Sequence, residues 1–527
     1  MKPGVYQFLI GCFAAFGSFL FGYDLGVIAE VVAADSFQSL FLNGGGADSK
    51  SGTVVSLYTG GCFFGALGAG YSDRLGRRGT ILMASIIFAI GGTIQTAGVA
   101  IEMLYIGRLV AGLGTGFLVV RTPCILCDVS IANRKEKMII PIYQAEIAHR
   151  RIRGRITTLQ QLFSALGQVT ATWVSYGCYA TYFGTGDSRE WRIPLAIQII
   201  PALILGSLIL QCPESPRWLC DHDLAEEGLK ALARLHANGD LHDPYVIAEY
   251  NLIQTQIAEE HAEPKKTYLD LFRNWPQLRR TIIVMAIQAG CQGTGVSAIQ
   301  YFSPQIFAQI GIATKQTLLL AAVNAIIGLL GTSLCIVVIE RAGRRPLEIG
   351  GSLIMTVTFA VNAALIQVFP ASVSNTGAHW GFIVMTWVFN FVFFVTSGPL
   401  SWAIPPELFG HAMRTKGVSL GTMTSFAFNT LVGQVTPIAI TQIGWRYYLV
   451  FVVCNFTTAI FFWAFLPETR GLNLEDLDEL FEKSPTFVPG SKWVPSSHID
   501  QDAKRIAEKE EVQEEEHPGG ERVEKVV

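Results

Sequence analysis

Charge is what this sequence has little of. Asp, Glu, Lys and Arg make up 15% of its 527 residues, where a soluble domain carries about 25%. The formal net charge of −3 marks no nucleic-acid partner, because Lys and Arg gather in short clusters at the ends of apolar runs. Cysteine is present without a framework. The 10 residues are scattered singly through apolar segments, as at Cys12, Cys62, Cys335 and Cys454, in the manner of small buried hydrophobes. Cys124 and Cys127 form one Cys-x-x-Cys with no second pair and no His nearby, so no metal is expected. There is no nucleophile–base pair, metal cluster or phosphate loop, so neither an enzyme nor a cofactor is expected. A cleavable leader is not expected either. The apolar run from Phe8 carries Asp24 and passes any small-residue cleavage site, so the first helix itself should direct insertion.

Apolar length is what the chain has instead. Half of it (50%) is hydrophobic, with 33 Phe and 10 Trp, and its mean hydropathy is +0.38. A bilayer-spanning helix needs about twenty mostly apolar residues. By that rule the first bundle of spans is Tyr6–Val32, Gly52–Tyr71, Thr80–Ala100, Met103–Val120, Ile156–Tyr179 and Trp191–Gln211. The second is Thr281–Phe307, Thr317–Ile339, Pro346–Val368, Trp380–Ala403, Gly417–Gln442 and Trp445–Leu466. An all-α membrane protein of about twelve spans in two six-helix bundles is therefore expected. Its expected parts are residues 1–220, an amphipathic helical linker 221–279, residues 280–470 and a charged tail 471–527, disordered beyond Phe481.

One basic signature occurs twice. Asp73-Arg74-Leu75-Gly76-Arg77-Arg78 follows the second span, and Arg341-Ala342-Gly343-Arg344-Arg345 follows the eighth. Lys and Arg collect in cytoplasmic loops, so both termini are expected in the cytoplasm, with the plasma membrane as the resident bilayer. Two related halves around a central site are a common transporter architecture.

The fourth span is interrupted. Arg121, Asp128, Arg134, Lys135, Glu136 and Lys137 stand between Gly116–Val120 and Pro141-Ile142-Tyr143. One charge at a helix centre costs about 2.5–3.5 kcal/mol on insertion scales. Deleting residues 121–140 would restore one ordinary span. That segment reads as translated non-coding sequence; the other reading is a genuine loop that splits the helix. Sequencing the transcript across Val120–Pro141 should reveal an excised stretch, and an uninterrupted message encoding it would refute the insertion.

Two ionisable residues lie deep in apolar helices, Asp24 in the first span and Arg108 in the fourth. Each is the natural partner of the other, because pairing offsets the desolvation of both. A carboxylate that can change partners or protonate suits proton coupling; a permanent pair would only fix helix packing. Gln160, Gln161, Gln288, Gln292, Ser297, Asn324 and Trp402 are among the polar or amphipathic residues of the spans. Neutral amides suit a ligand with many hydroxyls, and a Trp face suits the C–H side of a sugar ring. Singly, each amide serves equally as an interhelical hydrogen bond. Gly398, Pro399, Pro405 and Pro406 interrupt the tenth span, as a hinge or as a fixed kink. Paired signs ring the basic end: Asp73 with Arg74 and Arg78, Glu146 with Arg153, Glu407 with Arg414, and Glu214, Arg217, Glu340, Arg344 and Glu468. They read as a latch or as plain positive-inside anchors.

Taken together, Phe21–Asp24, Asp73–Arg78, Arg108–Gly116, Pro141–Glu146 with Arg153-Gly154, Pro213–Trp218, Glu340–Arg345, Pro406–Phe409 and Pro467–Gly471 resemble the sugar porter family of the major facilitator superfamily, in its fungal hexose and pentose carrier form. The resemblance covers residues 6–480 apart from 121–140. It implies the major facilitator fold and a monomeric secondary transporter that brings a monosaccharide into the cytosol, driven by the proton gradient. A facilitative uniporter and a non-transporting sugar sensor are the other members it admits. Carried over residue by residue, it implies sugar contacts from Gln161, Gln292, Ser297, Asn324, Trp402 and Asn429. Ser297 stands where the family has Asn, Cys291 where it has the first Gln of a pair, and Ser425-Phe426 where Asn-Trp is common. The Asn-x-Thr at Asn455 lies within the last span and is not expected to carry a glycan.

Overall fold

The computed structural model describes residues 3–43, 45–68, 75–119, 153–237, 239–262, 267–312, 314–370, 375–470 and 474–490. The segment 121–140 therefore lies outside the described residues, as do Asp73, Arg74 and Glu146. Side chains of Arg153 and Glu340 are likewise outside the description, although both residues sit in helix.

Among the described residues the regular structure is helical. The first half contains α1 (Pro3–Ala33), α2 (Ala47–Gly68), α3 (Gly76–Thr96), α4 (Ile101–Val119), α5 (Arg153–Tyr182) and α6 (Arg189–Gln211). A connecting group follows: α7 (Pro216–Asp221), α8 (Ala225–His236), α9 (Pro244–Ala262) and α10 (Asp270–Arg273). The second half contains α11 (Trp275–Gly293), α12 (Val296–Ala308), α13 (Thr314–Ala342), α14 (Arg344–Val368), α15 (Thr376–Val395), α16 (Ser397–Leu408), α17 (His411–Ile443) and α18 (Arg446–Phe465). A last helix, α19 (Leu474–Lys483), leads to Gly490.

Each expected span has its helix. By length and composition, 9 of the described helical stretches can cross a membrane. α2, α5 and α17 are as long but more polar, and they line the seam: α2 packs along α17, and α5 along α13. Helices that face a partner across a seam need not be apolar all round, whereas lipid-facing ones must be. Ile90, Leu203, Leu330, Val357, Leu431 and Val453 are among the large apolar side chains exposed on the outside, where lipid would cover them.

The two halves repeat one packing scheme. In the first, α1 pairs with α5, α2 with α4, and α3 with α4 and α6. In the second, α11 pairs with α17, α13 with α15, and α14 with α15 and α18. The basic signature explains how each half is fastened. The Glu214 carboxylate accepts the backbone N–H groups of Arg77 (3.0 Å) and Arg78 (3.2 Å) at the start of α3. Glu468 does the same for Arg344 (3.0 Å) and Arg345 (3.1 Å) at the start of α14. An anion at a helix N-terminus meets unpaired N–H groups and the positive end of the helix dipole. Gly76 (φ +73°) and Gly343 (φ +86°) stand at the two clasps, and a Cβ there would lie 2.5 and 2.7 Å from the carboxylate oxygens. The Arg78 and Arg345 guanidinium groups then donate to the Leu210 and Trp463 carbonyls.

Two spans of the second half divide into separate helices, and in the first half α6 is interrupted at Gln198. The expected seventh divides into α11 and α12 at Thr294-Gly295 (Gly295 φ +92°), and the tenth into α15 and α16 at Thr396. The second break falls just ahead of the Gly-Pro pair that signals it. Pro399 has no N–H for the Val395 carbonyl and its ring crowds that turn, so the helix ends at Val395 and Pro399 fits the first turn of the next.

One apolar cluster joins both halves at the end away from the termini, where Val27, Val31, Phe37 and Val54 meet Ile299, Phe302, Phe382 and Phe451. Towards the basic end the described residues form separate clusters, one on the first half with Phe426 inserted, one within the second half. α8 and α9 share a small core of Leu232, Val246, Ile253 and Ile257 with Cys220 of α7. The tail stays packed past Phe481, since Arg279 donates to the Pro485 carbonyl (2.9 Å) and the Val488 N–H to that of Ala464 (2.9 Å).

Gly76→Ala and Gly343→Ala should each cost about 1–3 kcal/mol from the positive φ alone, with the carboxylate clash added. Gly350→Ala, where a Cβ meets open space, is the control. Thermal unfolding of the detergent-solubilised chain should separate the pair from the control, and equal midpoints would refute the clasp.

Candidate functional site

Small residues bring α2 and α4 together so closely that a Cβ on Gly112 would lie 2.1 Å from the Tyr58 carbonyl oxygen. That contact sets the depth of Arg108, one turn earlier on α4. Its Nη1 donates to both Asp24 carboxylate oxygens at 2.8 Å, and both side chains are wholly buried. The expected pairing of α1 with α4 is therefore made. The guanidinium Nε donates to the Val54 carbonyl (3.1 Å), and its carbon lies 4.5 Å from the centre of the Tyr58 ring. Tyr58 donates to the Thr115 hydroxyl at 3.1 Å. Three helices thus hold one cation. Its Nη2 is buried without a hydrogen-bond partner among the described residues.

A second polar group is built on α11, α12 and α17. Gln292 sits in the last turn before the α11–α12 break and Ser297 just after it, so the break turns both to one side. Ser297 donates to Gln292 Oε1 (2.7 Å), and Gln292 Nε2 donates to Ser425 (3.0 Å). Asn429 Nδ2 lies 3.0 Å from Gln292 Oε1 and 3.1 Å from Ser297 Oγ. Tyr301 donates to Asn429 Oδ1 at 3.2 Å. Tyr301 packs in the apolar cluster that also holds Tyr23 and Val54, the immediate neighbours of the ion pair. Three of the expected sugar contacts, Gln292, Ser297 and Asn429, are brought together here.

The remaining expected contacts make no hydrogen bond to this cluster among the described residues. Gln161 is half-buried on α5, and Trp402 half-buried on α16. Asn324 is buried on α13; its main-chain oxygen accepts from Asn390 (2.9 Å), and its side-chain oxygen has no partner among the described residues. Gln288 has a different occupation. Pro405 cannot donate to the Ser401 carbonyl, and Gln288 Nε2 supplies that bond at 2.7 Å. Asn455 serves the Thr294 carbonyl at the other break (3.1 Å), and it is 1% exposed, which leaves no room for a glycan.

At the basic end Glu214, Glu407 and Glu468 hold partners within their own half. Besides its two helix amides, Glu214 accepts from Ser215 N (2.9 Å), while Arg217 lies on the adjoining α7. Glu407 pairs with Arg344 Nη2 (2.9 Å) and accepts from Thr469 (2.9 Å). Arg414 donates to the Phe409 carbonyl (3.3 Å).

Several groups were missed in the sequence. Across the seam, Ser56 of α2 donates to Gln434 of α17 (2.7 Å), and the Thr59 and Thr430 hydroxyls lie 2.8 Å apart. Buried acids also occur near span ends, where a charge reads as part of a loop. Glu30 has no hydrogen-bond partner among the described residues, and Glu348 accepts from Ser397 at 2.8 Å. Both stand in apolar surroundings, the same signal that singled out Asp24.

Two helical halves, a buried ion pair and a neutral polar cluster define a multi-pass membrane transporter. Residues 10–481 match the family described as "Sugar (and other) transporter". The chain is 33% identical to the MFS-type transporter criB of Aspergillus cristatus, over 90% of this chain and 94% of that one. It is 31% identical to the MFS glucose transporter mfs1 of Aspergillus flavus, over 90% of this chain and 89% of that one. Among solved structures it resembles the MFS proton:xylose symporter XylE bound to 6-bromo-6-deoxy-D-glucose, with a TM-score of 0.70 and 25% identity over 91% of this chain and 99% of that one. The chain belongs to the sugar transporter family of the major facilitator superfamily.

Breaking a buried pair by removing one partner costs about 3–5 kcal/mol, because the other charge is left unmatched. Arg108→Met should therefore destabilise the chain severely, and Asp24→Leu with Arg108→Met should recover part of that loss. Melting curves in detergent test this; a double variant as unstable as the sum of the singles would refute it.

Proposed function

We propose that this chain brings a monosaccharide, a hexose or a pentose, into the cytosol by alternating access, coupled to protons through Asp24 and Arg108. The observation that carries the reading is the cluster of Gln292, Ser297, Ser425 and Asn429, joined through Tyr301 to the neighbourhood of the buried pair. Neutral amides and hydroxyls offer donors and acceptors together, as a polyol requires. The similarity to a xylose–proton symporter and to a fungal glucose transporter supports the substrate class.

In this reading the arginine-rich end faces the cytosol, the plasma membrane is the site, and both termini are cytoplasmic. The arrangement described, closed by one apolar cluster at the far end, is then the inward-facing side of the cycle. Sugar docks on Gln292, Ser297 and Asn429, and Gln161, Asn324 and Trp402 complete the contacts as the halves close. Protonated Asp24 frees Arg108, and the halves rock. Glu214, Glu407 and Glu468 keep each half rigid through that motion. Asp73, Arg74, Glu146, Arg153 and Glu340 keep the role of a latch between the halves.

Radiolabelled hexose and pentose uptake in a host without its own carriers tests this. Uptake should rise as the outside is acidified and fall with a protonophore. Asp24→Asn should abolish accumulation and retain sugar exchange. Gln292→Ala should raise the half-saturation concentration about tenfold, which is ~1.4 kcal/mol. Uptake indifferent to pH and protonophore refutes coupling and leaves a uniporter; sugar binding without uptake makes the chain a receptor.

A further inference from the structure

The base of the second half holds two adjacent buried arginines, Arg279 and Arg280, 4% and 2% exposed. Arg280 has a counter-charge: its Nη2 lies 2.7 Å from Asp478 on α19. Arg279 is met by neutral oxygens. Nη1 donates to the Ser484 carbonyl (3.2 Å) and hydroxyl (3.3 Å), and Nη2 to the Pro485 and Thr486 carbonyls (2.9 and 3.4 Å). Its Nε is buried with no hydrogen-bond partner among the described residues. Its guanidinium carbon lies 5.2 Å from the Phe481 ring centre, so oxygens and a ring, but no anion among the described residues, offset in part the desolvation of Arg279. The hydroxyl against it belongs to a Ser-Pro pair at the end of α19, half-buried at the surface.

We propose that Ser484 is a phosphorylation site for a proline-directed serine/threonine kinase, and that Arg279 is the built-in receptor for the phosphate. Ser484 Oγ bonds to the γ-phosphorus of ATP, and the bond from that phosphorus to the β–γ bridging oxygen breaks. ADP leaves with the electron pair, and the hydroxyl proton passes to the kinase's base. The product carries a charge of about −1.5 to −2 and three strong acceptor oxygens at pH 7, enough for one to three charge-assisted hydrogen bonds. Arg279 Nη1 is already on the bridging oxygen, and the fork geometry of guanidinium matches phosphate. Thr486, followed by Phe487, lacks the proline. Glu482, exposed on the same helix, opposes the added charge, but in water it is screened far more than buried Arg279. The phosphate thereby fastens the strap from α19 to Gly490, already held by Phe481 and by Val488 N on the Ala464 carbonyl, to α11 and α18.

Phosphorylation in the cell rests on the reading that this end faces the cytosol, where ATP is. The test avoids that dependence, because detergent micelles expose both ends. The purified full-length chain is incubated with a proline-directed kinase and ATP, mapped by peptide mass, and then nicked with protease across residues 474–490. Phosphate is expected on Ser484 and not Thr486, with the strap cut several-fold more slowly afterwards. Arg279→Gln should accept the phosphate and gain no protection. Arg279→Lys, which keeps a charge without the fork, should gain part of it and covers a glutamine variant that does not fold. No phosphate on Ser484, or equal protection with and without the arginine, overturns the proposal.

Discussion

A bilayer offers no water to a buried charge, so each must be answered inside the protein. The Asp24–Arg108 contact is where that constraint acts most strongly. The two side chains draw α1 and α4 together, and the leftover guanidinium valences reach the α2 backbone at Val54 and the Tyr58 ring. A pair this deep gains strength from low dielectric and loses it the moment one member is neutralised. That sensitivity is what the proposed proton coupling would use, since a single proton on Asp24 would weaken the packing of three helices.

The same logic, moved to the helix ends, makes each half a unit. Glu214 and Glu468 contribute more than surface ion pairs, which add little. They cap α3 and α14 through backbone N–H groups from a distant point in the chain. The glycines they require explain the repeated Gly-Arg-Arg better than positive charge alone. Any loop near the cytosol can supply arginines, but only a glycine fits both a positive φ and a carboxylate at the Cβ position. The seam between α2 and α17 is held differently, by hydroxyls and one amide, beside the apolar cluster that joins the halves at the far end. Such hydrogen bonds exchange readily, so along α2 and α17 the fastening is looser than the clasps within each half.

Much of this was legible in the sequence. Long apolar runs gave the spans, because a membrane helix is constrained over its whole length. Asp24 and Arg108 declared each other, since an isolated charge in such a run has no other explanation. The amides were legible only as a set. Gln288 and Gln292 lie one helical turn apart in similar surroundings, yet Gln288 repairs the carbonyl that Pro405 orphans, while Gln292 joins the polar cluster. What separates them is a proline more than a hundred residues away, and no local pattern carries that. Ser425 was visible only as a departure from a familiar motif. Glu30 and Glu348 were passed over because acids near span ends look like loop charges.

Under the proposed function, the cluster around Gln292 also limits how sugar is held. Its amides and hydroxyls already satisfy one another, so a polyol must exchange each of those bonds for one of its own. Net gain per hydrogen bond is then small, about 0.5–1.5 kcal/mol, and tight binding is not its natural outcome. Selection works through geometry instead: a hydroxyl in the wrong place leaves a buried group unpaired, which costs about 1–3 kcal/mol. Ser297 sharpens the point. It offers one hydroxyl where the sugar porter motif it resembles has an amide, so the proposed pocket has one side-chain donor there in place of two. A site made this way binds moderately and releases readily, and a carrier that must turn over needs both.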